Sequence, residues 1–434
     1  MEHGTKRAVP PSDWLSTESG ALIAEGVSLD EIATRVGTPV HIYSERAITS
    51  AYRAVDEALA SLTHIVFYAM KANGNPSVVR LLASQGAGVD AVSGGEITWA
   101  LRCGVPADRI VMSGVGKTDD ELRLALTARI RSIHVESAPE LDVIEELARA
   151  MGVKAHVGLR INPNVDPKTH PYIATGIHGT KFGLEVDSAR ALLTKIKASD
   201  VLVLEAITSH IGSQLGDLGA LREGVAITAS FLREALDAGH APTLLDVGGG
   251  WPITYGDEDD AFPPHSAIGA AITQGLRDAN ALEGDALIGN VTLGVEPGRA
   301  LVGDAGALLT RVLFVKDQGP KRFVIVDAAM TELIRPALYG AYHAIVPVRP
   351  REGDARLVDV VGPVCESGDF FAEARMLGEV MRGDLILVRG TGAYGAAMAS
   401  EYNARPRAAE VMVSGDAMRV VRARGTVDSL HDAE

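Results

Sequence analysis

Eight short apolar runs alternate with amphipathic helical patterns between residues 46 and 300, and this alternation constrains the fold more than any other feature of the chain. A continuous apolar run is typical of a buried parallel strand, because both faces of such a strand are covered. The predicted strands are Ile65–Met70, Gly88–Val92, Ile110–Met112, Ser132–Val135, Ala155–Ile161, Val203–Thr208, Thr243–Val247 and Val291–Val295.

The segments between these runs carry helix signals. Asn75-Pro76 opens one predicted helix, and Gly86 follows its end, which is the usual placement of these residue types. Thr118–Glu121 and Ser137–Glu140 each fit a capping box. Repeated strand–helix units predict an α/β fold with a (β/α)₈ TIM-type barrel, since right-handed crossovers place the helices outside. A doubly wound open sheet fits the same alternation, and the pattern alone leaves both folds open.

The sequence pattern changes after about residue 300, where short Val/Leu-rich runs follow one another without long helices between them. Val411–Val413 and Met418–Val421 flank Ser-Gly-Asp, which predicts a hairpin. We expect Val40–Tyr43 of the N-terminal arm to add a strand to this C-terminal β-domain. The predicted division is an arm over residues 1–45, a barrel over 46–300 and the β-domain over 301–434.

Charge and cysteine content exclude several classes of protein. The chain has 41 Lys+Arg and 56 Asp+Glu, a net charge of −15, which argues against partners such as nucleic acid or an anionic membrane. Its two cysteines, Cys103 and Cys365, exclude a disulfide scaffold and a Cys-rich zinc site, and we expect no metal. Cys365 alone is typical of a buried, inert thiol. We find no signal peptide and no apolar run near the ~20 residues that cross a bilayer, so we expect a cytoplasmic protein.

Polar residues follow most of the predicted strands at the point where each strand ends. In a (β/α)₈ barrel the active site lies at the carboxyl ends of the strands, so these residues would meet on one rim. They are Lys71, Ser93–Glu96, Arg160 with Asn162, His210 with Ser213, Gly248–Gly250 and Glu296–Arg299.

Each of these residues also has an ordinary explanation when taken alone. Lys71 is either a lysine that reaches solvent or a Schiff-base lysine whose pKa is lowered by burial. Gly248–Gly250 forms either a tight turn or a loop whose backbone N–H groups approach an anion. Glu296 is a solvated carboxylate or the partner of a protonated pyridine nitrogen. His210 and Ser213 lack the nucleophile elbow of a hydrolase, so His210 is a structural or a ring-stacking histidine.

Nine stretches, in order from about residue 37 to 413, together carry a family resemblance. They are Tyr68–Asn73, Val92–Glu96, His170–Gly183, His210–Gln214, Gly248–Gly250, Glu296–Arg299, Arg335–His343, Gly362–Phe371 and Gly392–Arg405. In these stretches the chain resembles the fold type III pyridoxal-phosphate (PLP) enzymes, most closely the diaminopimelate decarboxylase family. The resemblance implies a barrel with an alanine racemase-like β-domain and a homodimer with shared active sites. It also implies conversion of meso-2,6-diaminopimelate to L-lysine and CO₂, the last step of lysine biosynthesis.

The resemblance also implies roles for individual residues. Lys71 would carry PLP covalently, Glu296 would pair with the ring nitrogen and His210 would stack on the ring. Cys365 would be the proton donor, and Glu366 would reach in from the other subunit. The cofactor-binding residues would be Lys71, Asp90, Glu96, Arg160, His210, Ser213, Gly249, Gly250, Glu296, Gly298, Arg299 and Tyr394. The substrate-binding residues would be Arg299, Arg335, Tyr339, Glu366 and Tyr394.

The expected substrate follows from the charges at these positions. Arg299 and Arg335 suit a second carboxylate through bidentate pairing, and Glu366 suits a second ammonium. A diamino dicarboxylate therefore fits better than ornithine.

Trp251-Pro252 departs from the family pattern, which more often has Leu-Gly there, and is closer to the ornithine decarboxylase branch. The alternatives are a related PLP decarboxylase acting on ornithine or lysine, a racemase, and a PLP-binding regulatory protein without turnover.

Overall fold

The computed structural model describes residues 12–166, 181–256 and 262–430, and these residues form two compact units. The barrel unit comprises the described residues of 52–252 and 262–298. The sheet unit comprises the described residues of 1–51, 253–261 and 299–434. The short segment from residue 253 therefore belongs to the sheet unit, although barrel residues flank it in sequence. No described helix combines the length and the apolarity that crossing a bilayer requires.

The N-terminal region holds a small antiparallel sheet, two helices and one longer strand. Its elements are β1 (Leu15–Glu18), β2 (Ala21–Ala24), β3 (Val27–Ser28), α1 (Leu29–Val36), β4 (Val40–Ser44) and α2 (Glu45–Ala58). Helix α1 is amphipathic and buries Leu29 and Ile32. Every residue of β4 is buried, which is typical of a strand inside a sheet.

The barrel strands have nearly the bounds that the apolar runs predict. They are β5 (His64–Ala69), β6 (Gly88–Ala91), β7 (Ile110–Met112), β8 (Ser132–Val135), β9 (Ala155–Ile161), β10 (Leu202–Ser209), β11 (Leu244–Asp246) and, after the two-residue strands β12 (Leu282–Glu283) and β13 (Ala286–Leu287), β14 (Thr292–Val295). Their order in the sheet is β10-β11-β14-β5-β6-β7-β8-β9, and the sheet is closed.

The closure of the sheet decides between the two predicted folds. Strand β14 pairs in parallel with β5, with Leu293 opposite His64 and Val295 opposite Val66. An open doubly wound sheet would leave its outer strands unpaired, whereas this pairing leaves no edge. The predicted barrel is therefore confirmed, and the open-sheet alternative is wrong. The alternation of elements could not decide this, because both folds use the same strand–helix repeat.

The described helices of the barrel unit are α3 (Pro76–Ser84), α4 (Gly94–Arg102), α5 (Asp119–Ala128), α6 (Ala138–Met151), α7 (Val186–Ala198), α8 (Leu218–Asp237) and α9 (His265–Asp278). Helix α3 begins as its sequence predicts. The Asn75 side chain accepts a hydrogen bond from Ser77 N at 2.9 Å, and Pro76 occupies the first turn, where its missing N–H costs nothing.

The two predicted capping boxes have different outcomes. At α5, Thr118 Oγ1 accepts from Glu121 N and the Glu121 carboxylate accepts from Thr118 N, so this box is confirmed. At α6, Ser137 Oγ accepts from Glu140 N at 3.3 Å, but the Glu140 carboxylate accepts from Glu136 N instead of Ser137 N. The predicted bond from Ser137 N to the Glu140 carboxylate is therefore wrong, because the neighbouring Glu136 N–H binds that carboxylate.

The sheet unit is built on a nine-stranded sheet, most of whose pairs are antiparallel. Its further elements are α10 (Arg299–Val302), β15 (Gly306–Gln318), β16 (Lys321–Val326), α11 (Arg335–Tyr339), β17 (Ile345–Pro347), β18 (Arg356–Val361), β19 (Phe370–Leu377), β20 (Leu385–Arg389), β21 (Ala409–Ser414) and β22 (Ala417–Arg422). The main path of the sheet is β19-β18-β16-β15-β4-β21-β22, and β20 pairs with β15 and β17.

Two predictions for this sheet are confirmed and two strands, β17 and β19, were missed. Strand β4 lies between β15 and β21, so the N-terminal arm does add a strand. Strands β21 and β22 form the predicted antiparallel hairpin. Strand β17 is only three residues long. Strand β19 has the sequence FFAEARML, which mixes strand-forming with helix-forming residues. Its state is decided by pairing with β18.

One glycine of α9 allows close packing inside the barrel unit and generates a prediction. A Cβ atom at Gly269 would lie 2.1 Å from the backbone O of Ala58, which a real side chain cannot occupy. We expect Gly269→Ala to lower the free energy of unfolding by about 1–3 kcal/mol, despite the better helix propensity of Ala, because overpacking against backbone dominates. Thermal or urea unfolding measures this change. Gly95→Ala is the matched control, since that exposed helical glycine has 3.6 Å to its nearest neighbour. Equal effects of the two substitutions would contradict the packing argument.

Candidate active site

All eight barrel strands place a polar residue at or next to the carboxyl end. These residues are Lys71 after β5, Asp90 in β6, Ser113 after β7, Glu136 after β8, Arg160 in β9, His210 after β10, Asp246 in β11 and Glu296 after β14. All of them except Lys71 and His210 are buried. The carboxyl ends of the strands are the functional face of such a barrel, and the residues predicted there do converge.

Lys71 lies on a single 3₁₀ turn directly after β5 and contacts a buried carboxylate. Its Nζ donates to Asp90 Oδ2 at 2.9 Å, and the lysine side chain is 38% exposed while that of Asp90 is 0% exposed. The sheet register sets this contact, since Ala69 of β5 is paired with Asp90 of β6. Burial opposes the charge of Asp90, but the adjacent ammonium holds the pKa of this carboxyl below its usual value. The amine is thus partly accessible and electrostatically anchored.

Two further carboxyl groups lie buried at the same rim. Burial, followed by the charges of Asp246 and Asp90, raises the pKa of Glu296 well above its usual value. Burial also raises the pKa of Asp246 to about 7, although its Oδ1 accepts a hydrogen bond from Gly248 N at 2.9 Å. A cation placed against Glu296 would restore its negative charge. This pair therefore suits a bound group that carries a proton on a nitrogen.

A serine and a histidine contact Glu296 at the barrel rim. Ser113 Oγ lies 3.1 Å from His134 Nδ1 and donates to Glu296 Oε1 at 3.4 Å. Burial lowers the pKa of His134 to about 3, so the imidazole is neutral at physiological pH. The 3.9 Å approach of His134 to Glu296 is therefore a polar contact and not an ion pair.

His210 and the Gly248–Gly250 turn fit together through the backbone. Gly249 N donates to His210 Nδ1 at 3.0 Å, so the neutral ring carries its proton on Nε2. Burial, with smaller contributions from Arg160 and Lys71, lowers the pKa of His210 to about 3. A Cβ at Gly249 would lie 2.1 Å from the backbone O of Glu296, which explains why the turn is glycine.

Arg160 and Glu96 are engaged with the barrel itself. Arg160 Nη1 pairs with Glu136 Oε1 at 2.8 Å, and both side chains are buried. The Glu96 carboxyl accepts from Val92 N at 2.8 Å, and burial raises its pKa to about 7.

Three other predicted cofactor residues lie on the loops of the same rim. Ser213 is half-buried on the loop after β10. Gly250 has φ +87°, and a Cβ there would lie 2.3 Å from the backbone O of Gly212. A Cβ at Gly298 would lie 3.1 Å from those of Ala69 and Ala72, so this backbone passes close to the turn that carries Lys71.

The sheet unit contains a separate cluster of arginines and aromatic residues. Arg299 and Arg335 are both buried. Arg299 lies over the Tyr394 ring at 4.9 Å from its centroid. Tyr339 ends α11, the helix that begins at Arg335. Both arginines contact Tyr255, Arg299 through a 2.7 Å hydrogen bond to the hydroxyl and Arg335 over the ring at 4.7 Å. Two buried guanidinium groups in one cluster suit an anion such as a carboxylate.

Cys365 and Glu366 lie outside this cluster. Both are exposed, on the turn between β18 and β19, so the interpretation of Cys365 as a buried thiol is wrong. Cys365 N donates to Asn403 Oδ1 at 3.0 Å, which fixes the turn by its backbone. Within the described residues, no ion pair links Glu366 to another side chain.

A comparison with protein families decides the affiliation of the chain. The family described as pyridoxal-dependent decarboxylase, pyridoxal binding domain, matches residues 45–303, which include the whole barrel. The chain belongs to this family. Diaminopimelate decarboxylase of Aquifex aeolicus is 43% identical over 417 residues, covering 96% of each chain. The enzyme of the same name from Pseudomonas aeruginosa is 44% identical over 422 residues, covering 97% of this chain and 99% of the relative.

The fold agrees with a solved member of this pyridoxal-dependent decarboxylase family. The crystal structure of diaminopimelate decarboxylase from M. jannaschii in complex with L-lysine has a TM-score of 0.91 and 35% identity, covering 97% of each chain. The fold type III resemblance is thereby confirmed. Of the motif at residues 170–183, residues 170–180 lie outside the described part of the chain.

The barrel residues fit the cofactor of this pyridoxal-dependent family. Lys71 offers a partly exposed amine for an aldehyde, and Glu296 is a buried carboxyl that becomes charged beside a protonated nitrogen. His210 is a neutral imidazole that can stack on a flat ring. In the glycine turn at residues 248–250, the N–H groups of Gly248 and Gly249 donate to Asp246 and His210, and no Cβ fits at any of the three positions.

Sequence analysis missed several residues of both clusters. Asp246 and His134 lie inside predicted strands, where each appeared to be one polar residue within an apolar run. Ser113 directly follows a predicted strand and satisfied the rule used for the other rim residues, so it could have been found. Tyr255 and His343 are single aromatic residues in irregular segments, and no periodic pattern marks them.

The raised carboxyl pKa values predict how the stability of the cofactor-free protein changes with pH. Folded Asp246 keeps its proton up to about pH 7, whereas an unfolded Asp loses it near about pH 4, so this contribution to stability is lost as pH rises through about 7. His134 and His210 act in the opposite direction, and because an unfolded His is still half protonated at about pH 6.5, their contribution is complete only near about pH 7.5. The raised pKa of Glu296 extends the loss of stability to higher pH. We therefore expect the melting temperature to fall by about 1–2 °C, or about 1 kcal/mol, between about pH 7.5 and 8.5.

Asp246→Asn tests the origin of this slope. The amide keeps an acceptor for Gly248 N but does not titrate, and it also removes one negative neighbour of Glu296. We expect the variant to lose about half of the pH-dependent change in melting temperature, because the pKa of Glu296 falls when this neighbour is neutral. Identical slopes in the two proteins would assign the pH dependence to other groups.

Proposed function

We propose that this protein decarboxylates meso-2,6-diaminopimelate to L-lysine with PLP as its cofactor. The reaction is supported by two diaminopimelate decarboxylases that are 43% and 44% identical to this chain over nearly its full length. The observation that carries the choice of substrate is the buried pair Arg299 and Arg335 around Tyr255. Diaminopimelate has two carboxylates and keeps one after decarboxylation, whereas ornithine and lysine have only the carboxylate that is lost. Two guanidinium groups can bind the retained carboxylate directly.

Three residues of the barrel unit would hold the cofactor ring. Lys71 would bind PLP covalently through Nζ, with Asp90 holding the amine in place. Glu296 would pair with the ring nitrogen and keep it protonated, because a buried carboxylate favours an adjacent cation. His210 would stack on the ring as a neutral imidazole. When bound, PLP supplies an electron sink for the carbanion that decarboxylation leaves.

The remaining cofactor contacts would come from loops and walls. Asp90, Glu96 and Arg160 would line the pocket, in agreement with the burial of Asp90 and Arg160 and the half-burial of Glu96. The cofactor and its phosphate would be held by Ser213, Gly249, Gly250, Gly298, Arg299 and Tyr394. Because the N–H groups of Gly248 and Gly249 already donate to side chains, the backbone contacts to the phosphate would come from Gly250 and Gly298.

The substrate would be held by charged and phenolic groups. Arg299, Arg335, Tyr339 and Tyr394 would bind the carboxylate that the reaction leaves in place. Glu366 would bind an ammonium group in the active site of a partner subunit, and Cys365 would donate the proton that replaces CO₂. Both residues are exposed in the single chain, which is consistent with a role across an interface. We therefore also propose a homodimer with shared active sites.

The cellular location and domain boundaries belong to the same proposal. We propose a cytoplasmic enzyme, because its proposed substrate and product are small metabolites. We retain a three-part division with an arm over 1–45, a barrel over 46–300 and a β-domain over 301–434. Limited proteolysis followed by mass spectrometry of the fragments tests the boundaries.

Removal of the lysine amine tests the covalent role of Lys71. We expect Lys71→Ala to reduce CO₂ release from meso-diaminopimelate by at least about a thousandfold, because the anchoring amine is lost. The absorbance of covalently bound PLP should also disappear. Lys154→Ala is the control, since this exposed lysine donates to the Asp200 backbone at the amino-terminal end of β9. Substantial turnover by Lys71→Ala would remove the covalent assignment.

The arginine pair predicts a substrate preference. We expect lysine to form from meso-diaminopimelate, with at least about a hundredfold lower kcat/KM for ornithine, arginine or lysine as substrate. Arg335→Gln should lower kcat/KM for meso-diaminopimelate by about a hundredfold, since one charge-assisted pair is lost. Arg349→Gln, which removes only a surface ion pair with Asp30, should leave kinetics unchanged. Preferred turnover of ornithine or lysine would replace the proposed substrate and direct attention to Trp251.

A further inference from the structure

Tyr255 lies between the two buried arginines and contacts each in a different way. Arg299 Nη1 donates to its hydroxyl oxygen at 2.7 Å. Arg335 lies over the face of its ring, with Cζ 4.7 Å from the centroid. The tyrosine is only 7% exposed, so both contacts are shielded from water. One side chain thus orients one guanidinium by a hydrogen bond and the other by a cation–π contact.

His343 holds Arg335 from another direction. Its Nδ1 lies 2.8 Å from the backbone O of Arg389, and a carbonyl oxygen only accepts, so Nδ1 carries the proton. Its Nε2 is then the acceptor for Arg335 Nη1 at 2.8 Å. Burial, and next the Arg335 charge, lower the pKa of His343 well below its usual value, in agreement with a neutral ring. His343 also packs edge-on against Tyr255, with ring centroids 5.1 Å apart.

The surroundings leave Tyr255 little freedom to move. A Cβ at Gly390 would lie 3.1 Å from Tyr255 Cδ1, so the ring rests directly on the backbone that follows β20. The same stretch of backbone supplies the carbonyl of Arg389 that fixes His343. Tyr255, His343 and the two arginines therefore form one connected set within the sheet unit.

Tyr255 and His343, the two side chains that orient these arginines, are both neutral. Burial, together with the charge of Arg299, lowers the pKa of Arg335, which shows that the two cations disfavour each other. A phenol and a neutral imidazole orient the guanidinium groups without supplying a negative charge. An arriving carboxylate therefore finds N–H donors already aligned, and its charge relieves the repulsion between them.

We propose that Tyr255 and His343 are positioning residues that fix Arg299 and Arg335 to bind the carboxylate retained in the product. This inference rests on the proposed function and extends it to residues that do not themselves react. It predicts that Tyr255 contributes to binding of ligands with that carboxylate, and contributes nothing to ligands without it. Tyr255 and His343 would thereby set the preference for amino acids over simple diamines.

Tyr255→Phe in the holoenzyme tests this role, because it keeps the ring and removes only the hydroxyl. We expect KM for meso-diaminopimelate to rise about tenfold, which corresponds to about 1.4 kcal/mol, with kcat within about twofold of wild type. Calorimetric titration should show the affinity for L-lysine falling by a similar factor. The affinity for cadaverine, which is lysine without its carboxylate, should change by less than about twofold.

Tyr43→Phe is the matched control in the same unit. Tyr43 is also buried, and its hydroxyl donates to the Glu410 carboxylate at 2.8 Å, so this substitution likewise removes one hydrogen bond between a buried tyrosine hydroxyl and a charged side chain. We expect it to lower the melting temperature and leave KM and lysine affinity unchanged. In an Arg299→Gln background, Tyr255→Phe should add less than about a twofold effect, because its action passes through Arg299.

A pair of His343 variants tests the second support. His343→Gln retains one acceptor and one donor, and we expect it to keep lysine affinity within about threefold of wild type. His343→Phe removes both hydrogen bonds and should weaken lysine binding about tenfold, with cadaverine binding unchanged. Because His343→Phe removes a buried hydrogen-bonded ring, its melting temperature is measured first, and Tyr255→Phe decides the proposal if this variant does not fold.

Two results would overturn the inference. One is lysine affinity within about twofold of wild type in Tyr255→Phe, and the other is an equal loss of lysine and cadaverine affinity. The second result would mean that Tyr255 shapes the whole pocket and not the arginines. Failure of the proposed function is a separate outcome, since wild-type enzyme would then release no CO₂ from meso-diaminopimelate. The calorimetric comparison of lysine with cadaverine would still report on Tyr255.

Discussion

Lys71 contacts Asp90 because two neighbouring barrel strands pair in register. The ion pair that they form helps to set the charge states of the other carboxyl groups at the barrel rim. Asp90 has no solvent exposure, so its carboxylate stays ionised only beside a fixed cation. Lys71 supplies that cation at 2.9 Å. Burial first, and then this retained negative charge, raise the pKa of Glu296 and Asp246 nearby and favour their protonated forms. Burial and one ion pair thus give three carboxyl groups two different states, and they leave a carboxyl group prepared for an incoming cation.

Several buried histidines of this protein are neutral imidazoles. Burial lowers the pKa of His134, His210 and His343, so each ring orients a neighbour without adding charge. His210 accepts from the backbone of the glycine turn, and His343 accepts from the Arg335 guanidinium. A protonated histidine at either position would repel the adjacent cation or lose its acceptor. Burial therefore keeps the hydrogen-bond pattern constant across the physiological pH range.

The success of the sequence predictions varied with how local the governing interaction was. Strand bounds such as Ile110–Met112 and Ala155–Ile161 were predicted correctly, since a strand covered on both faces needs apolar residues throughout. Predicted rim residues such as Lys71 and Glu296 were found because they follow a strand end. Asp246 was missed, because a polar residue within an apolar run shows its direction only after the strands are paired. Strand β19 was missed because its state depends on a partner rather than on its own composition.

The sequence by itself determined the eight barrel strands, most helices of the barrel, the family resemblance, and the lysine, glycine and arginine positions that carry it. Those features depend on residue type and local spacing, which the chain contains without folding. Only the tertiary structure decided that the sheet closes through β14 and β5, that Glu140 caps Glu136 N, and that Tyr255 joins the two arginines. Each of these depends on groups distant in sequence or competing for one partner. Their pairing and burial, which set charge and hydrogen bonding, exist only in the folded chain.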